Sequence, residues 1–256
     1  PAWLQAHGQA QVFGWIGSFI LGIGFYSLTK MQSTLRFPVR MGWTAWGLWT
    51  LGIMLRWVGG VTAWEWRVLL PLSGVLELAA FCLFVHSVRR HRTPNSTRRK
   101  ETWMLAVIAA TFGFLIALIA NAATLIQLAL YGNSPALPHL LDQQMVLLAV
   151  WGVLVPTIWG FNARWLPIFA GFRKPDGLPL FAAYALIVVG IIAIFIEWTA
   201  VSAAALLFAA LLAVEALHVW TPAIQPAKLL HVHGSFPFFL RLAYVWLVAS
   251  CVLNIL

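Results

Sequence analysis

Eight stretches of this chain are nearly unbroken runs of apolar residues, each set off from the next by a short polar or charged segment. They cover 9–29, 42–60, 64–88, 102–131, 145–171, 178–197, 199–220 and 236–256. An α-helix crosses the hydrocarbon of a bilayer with about 20 mostly apolar residues. The pattern therefore predicts an all-α, polytopic transmembrane helix bundle of about eight helices. The fourth run exceeds the bilayer thickness and predicts a tilted or projecting helix. The fifth contains Pro156 and Pro167 and predicts kinks.

Composition sharpens this reading. Apolar residues make up 62% of the chain and charged residues 9%, which excludes a soluble domain whose helices each keep one wet face. Residues 1–256 read as a single transmembrane domain. The first residue is Pro1 and the last run ends at Leu256 without a polar cap, so the expectation is a processed or truncated piece of a longer bundle.

The formal charge of +9 would point to nucleic acid in a soluble protein. Here its distribution points to topology. Lys30, Arg36 and Arg40 follow the first run; Arg89, Arg90, Arg92, Arg98, Arg99 and Lys100 follow the third. Arg164, Arg173 and Lys174 lie at the end of the fifth, and Lys228 and Arg241 beyond the seventh. Of the 16 basic residues only Arg56 and Arg67 fall on the other side. Cytoplasmic loops collect such charge, so the N-terminus is expected outside, the lipid bilayer is the main partner, and no nucleic acid is bound. Trp43, Trp64, Trp66, Trp103, Trp198 and Trp220 lie near run ends, where an indole suits the headgroup zone.

Small residues four apart place three stripes on single helix faces: Gly14, Ser18 and Gly22; Ala109, Gly113 and Ala117; Ala205, Ala209 and Ala213. Such stripes let backbones approach closely. Cys82 and Cys251 both lie in apolar runs and suggest neither a disulfide framework nor a Cys-based metal site.

Chemistry starts from ionisable groups inside the runs, each of which costs about 2.5–3.5 kcal/mol at the bilayer centre on insertion scales. Glu77 sits in mid-run. It reads either as a proton-carrying or ligand-side carboxylate, or as a protonated carboxyl making one interhelical hydrogen bond. Glu215 and His218, three apart, are expected on one face near the cytoplasmic interface. Arg56 is expected to snorkel outward, and Asn121 to hydrogen-bond across the bundle. His7 precedes the first run on the outer side. His231 and His233 form an H-x-H pair before the last run, which serves a metal or haem only if both imidazoles point inward. His86, His91 and His139 fall at ends or in loops, where solvated histidine is the default. No phosphate loop, zinc-protease helix or nucleophile elbow is present. Without a repeat of broken helices, a small-molecule transporter ranks third.

Three segments carry a family resemblance. His7-Gly8-Gln9-Ala10-Gln11-Val12-Phe13-Gly14-Trp15 resembles the H-x-H-x-Q-x-F-G opening of NnrS-like membrane proteins. Residues 162–169, from Asn162 through Arg164 and Pro167 to Phe169, are similar to that family's S-x-R-x-L-P-x-F segment. Arg241 to Leu247 looks like its R-x-A-Y-x-W-L helix start. NnrS-like proteins are haem- and copper-associated, linked to nitric oxide and denitrification, and distantly similar to subunit I of haem–copper oxidases. The resemblance implies a bacterial inner-membrane protein with redox or electron-transport ties and partner subunits. It implies haem, with copper as a further cofactor. It makes His7 the first choice of iron ligand, with Arg56 or Arg67 pairing a propionate. The chain departs from the pattern at Gln9, where the family carries a second histidine, and an amide does not replace imidazole on iron. A cofactor-free subunit that braces a larger complex is the alternative reading.

Overall fold

The computed structural model describes residues 1–31, 39–90, 101–226 and 233–254. Among them there are helices, turns and loops, and no strand. Helix α1 runs over 2–31, with two α-helical parts, Ala2–Gln9 and Ser18–Met31, joined by a π-helical segment, Ala10–Gly17. The others are α2 (Val39–Thr62), α3 (Trp66–Arg90), α4 (Thr102–Tyr131), α5 (His139–Phe169), α6 (Gly177–Phe195), α7 (Thr199–Ala216) and α8 (Phe236–Leu253). The six helices α3 to α8 are long and apolar enough to cross a membrane. In α2 the tryptophans 43, 46, 49 and 57, several glycines and two arginines dilute the aliphatic content. Trp43, Trp64, Trp198 and Trp220 are exposed, as are Val188, Ile192 and Phe208 along the helices. A surface so apolar has lipid as its natural solvent. These are the helices of a multi-pass membrane protein.

Both π-helical segments have a local cause. The indole N–H of Trp49 donates to the carbonyl of Phe13 at 3.0 Å, and an inserted donor of this kind disturbs the helix ladder there. In α5 the widened segment is Val150–Leu154, just before Pro156. Proline has no N–H for the carbonyl four residues back, and a wider turn absorbs the fault. The helix passes Pro156 unbroken, with Pro167 in its last turn.

The chain divides into two compact units, Pro1–Arg98 with Leu115–Met145, and Arg99–Phe114 with Val146–Leu256. In the first, glycines set the closest approaches. A Cβ on Gly17 would lie 2.6 Å from the Trp49 ring, one on Gly24 2.6 Å from Phe84, and one on Gly52 2.9 Å from Glu77 Cγ. This corrects the stripe expected on α1. Gly14 lies against Ile53, but Gly22 has nothing within 4 Å. Gly22 is exposed, so the close approach ends before it.

The second unit closes on an apolar core that includes Trp151, Trp159, Leu180, Ile187 and Leu206. Ala205, Ala209 and Ala213 are all buried, as the stripe on α7 predicts. Its polar groups are paired locally: Asn162 Nδ2 donates to Tyr244 Oη at 2.8 Å, and Tyr184 Oη to the Pro156 carbonyl at 2.8 Å. Helices α6 and α7 end on left-handed residues, Glu197 (φ 62) and His218 (φ 53). Each end closes through a six-residue and a nested four-residue hydrogen-bonded turn, Trp198 N to Ala193 O around Glu197 N to Ile194 O, and Val219 N to Val214 O around His218 N to Glu215 O. Glycine is the usual residue at such a cap.

Candidate functional site

A polar cluster lies inside the first unit, built from residues that the apolar runs scarcely reveal. Glu77, in the middle of α3, is fully buried. Gln9, one residue before the π-helical segment of α1, donates from Nε2 to Glu77 Oε2 at 3.1 Å. Asn121 of α4 donates to the same oxygen at 3.4 Å. The other carboxylate oxygen, Oε1, is buried without a hydrogen-bond partner. Gly52 lets α2 pass this carboxylate closely, since a Cβ there would also meet the Ser73 carbonyl at 3.0 Å.

One turn along α2, Arg56 is 5% exposed. It does not snorkel outward as expected; its side chain turns into the unit. The acidic groups that act on its charge are Glu77 first and Asp142 second. No nitrogen–oxygen contact of 4.0 Å or less joins Arg56 to Glu77, and Arg56 Nη1 is buried without a partner. Arg56 and Glu77 are thus a buried base and a buried acid of the same unit that make no direct contact. Thr124 and Gln144 are buried in the same unit.

His7 lies two residues before Gln9 and is exposed. Its imidazole is flanked by Trp3 and Trp57, with ring centroids 6.2 and 6.3 Å away. Trp57 follows Arg56 directly, so α2 presents one residue to the unit interior and the next to His7.

The remaining candidates are spread out. Arg67 donates to the carbonyls of Ala129 at 3.0 Å and Gly132 at 2.9 Å, clamping the C-terminal end of α4. Two of its five guanidinium N–H groups are used on these backbone oxygens. Glu215 is exposed while His218 is buried, which corrects their expected common face. Helix α7 stops at Ala216, so the helical spacing of three does not reach position 218. His218 Nε2 instead lies 3.3 Å from Asp176 Oδ2, close enough for an ion pair but out of line for a hydrogen bond. His233 is exposed and its Nδ1 pairs with Ser235 Oγ at 2.7 Å, next to the start of α8. His231 lies outside the described residues. Among those residues no group of three His, Cys, Asp or Glu is placed to hold a metal ion.

Gln9 is the member of this cluster that the sequence does not announce. An amide near a run end looks solvated, and only the tertiary fold turns it toward Glu77.

The chain matches no family model, no curated protein and no solved structure significantly.

Proposed function

We propose that the chain is an eight-span bacterial inner-membrane protein, N-terminus outside, NnrS-like in kind and tied to redox or nitric-oxide physiology. Its working centre is the part of the first unit where the opening motif of α1 meets Arg56 and Glu77. The observation that supports this most is the hydrogen bond from Gln9 to Glu77. It joins the motif that carries the resemblance to the intramembrane carboxylate, two features that the sequence leaves 68 positions apart.

Haem fits this centre in one respect. His7 offers a free, exposed imidazole between two indoles, enough for one axial position. Haem would supply a reversible one-electron iron couple. The donor set favours haem over copper, since copper sites draw on several imidazole or thiolate ligands. Arg56 and Glu77 add opposite charges below the motif, keeping the buried site near neutrality.

Absorption of the purified native protein tests the reading. A Soret band is expected, and His7→Ala abolishes or shifts it, because losing an axial ligand disturbs iron far more than losing an outer hydrogen bond. His139→Ala, also exposed, leaves it intact. A spectrum that survives His7→Ala unchanged removes His7 from the site. A native assembly without haem on this chain gives way to the second reading, a cofactor-free subunit bracing a larger complex. The exposed flanks of the helices, such as Trp15 and Trp246, would then seat partner subunits.

The topology has its own test. In a background lacking Cys82 and Cys251, a cysteine at Arg90 is labelled by an impermeant reagent only from the cytoplasm, and one at Ser134 only from outside. Labelling of both from one side contradicts the eight-span arrangement.

A further inference from the structure

We infer that a neutral, water-sized hydrogen-bonding molecule is held between Arg56 Nη1 and Glu77 Oε1 in the first unit. The inference stands whether or not haem binds at His7. Both atoms are buried and neither has a hydrogen-bond partner. Leaving a buried polar atom unsatisfied is costly, more so when it is charged, and native proteins rarely do it. Here one orphan is a donor and the other an acceptor. They belong to groups of opposite charge, and Glu77 is the acid that acts most strongly on Arg56. Yet the two make no contact within 4.0 Å. A single molecule that satisfied both would accept from a guanidinium N–H and donate to a carboxylate oxygen.

Charge and space narrow the class. The charges of Arg56 and Glu77 offset one another, so a guest between them needs no charge of its own. The surroundings of Glu77 are tight. Gln9 and Asn121 occupy its other oxygen. On the α2 side, even a methyl group at Gly52 would come within 2.9 Å of Glu77 Cγ. A small hydroxylic molecule meets these demands, and buried water bridging two to four polar groups is its commonest form. A water-bridged pair of this kind keeps each charge solvated inside the bundle, where direct contact is not made.

Infrared spectroscopy of the full chain, equilibrated in ordinary and in oxygen-18 water, tests the proposal. The double variant Arg56→Leu/Glu77→Leu removes both charges together, so no lone charge is left buried. The native-minus-double difference spectrum is expected to show an internal-water O–H band that shifts with oxygen-18. Glu77→Gln keeps an acceptor and is expected to move that band without abolishing it. A difference spectrum with no isotope-sensitive band overturns the proposal. Should the double variant fail to fold, an experimental map of the native protein at water-resolving resolution decides. Density bridging Arg56 and Glu77 supports the site, whereas direct guanidinium–carboxylate contact or an empty gap overturns it.

Discussion

Glu77→Ala is expected to destabilise the protein by about 3–5 kcal/mol, the cost of leaving one member of a buried charge pair alone. The reasoning runs through Arg56, which is 5% exposed and has Glu77 as the chief acid acting on it. Removing the carboxylate leaves the guanidinium with Asp142 as its remaining acidic neighbour. The side-chain amides of Gln9 and Asn121 lose their shared acceptor in the same step. Glu77→Gln separates these terms: it retains an oxygen for the two amides while deleting the charge, and is expected to lie between native and alanine. Replacing both charged residues, as in Arg56→Leu/Glu77→Leu, is expected to recover part of the loss, because apolar side chains of similar volume replace buried ion pairs at small cost. Thermal melting of the four proteins in one detergent gives the order. A double variant that melts below Glu77→Ala would show that Arg56 and Glu77 do not offset one another.

The order of effects also bears on what was legible in the sequence. Hydropathy places α3 to α8 within a few residues, except that α5 begins at His139, six residues before its apolar run, because an apolar span must be long and continuous to cross a bilayer. Glu77 was legible for the same reason: a carboxylate stands out against an apolar run. Its partners did not. Gln9 reads as the polar edge of a span, and the helix extends back to Ala2 because Trp3, Leu4 and Ala6 continue it beyond the apolar run. Arg56 reads as a residue near a helix end, and its inward course depends on Gly52 and Ser73 bringing α2 and α3 close. The common face expected for Glu215 and His218 failed at a helix end. Spacing of three implies one face only while the helix lasts, and His218 takes the left-handed conformation just after it. The stripe on α1 was the other blind spot. Residue spacing alone does not say how far a close contact runs along a helix, and here Gly14 meets Ile53 while Gly22 meets nothing within 4 Å.

Gly113→Ala is expected to damage the second unit strongly, at about 1–3 kcal/mol or more for overpacking. A Cβ on Gly113 would fall 2.0 Å from the carbonyl oxygen of Gly152. That oxygen is backbone in the middle of α5, so it cannot swing aside as a side chain would, and α4 and α5 must part. The contact has a cause three links back. In a regular α-helix the Gly152 carbonyl would accept from residue 156, but Pro156 has no N–H to give. The turn widens over Val150–Leu154, and the oxygen faces Gly113 on the neighbouring helix. A glycine Cα–H set against such a carbonyl is the close crossing that small residues permit. Three glycines then form a graded series. Gly113→Ala is expected to lower the melting temperature most. Gly152→Ala lowers it less, since its nearest neighbour is Leu148 Cδ1 at 3.0 Å, the end of a flexible side chain. Gly22→Ala meets nothing within 4 Å and is expected to be neutral or slightly stabilising, alanine being the better helix former by about 1 kcal/mol. Melting temperatures that fail to separate Gly113→Ala from Gly22→Ala would show that α4 and α5 do not meet backbone to backbone at Gly152. The link from Pro156 through the widened turn to the helix crossing would fall with it.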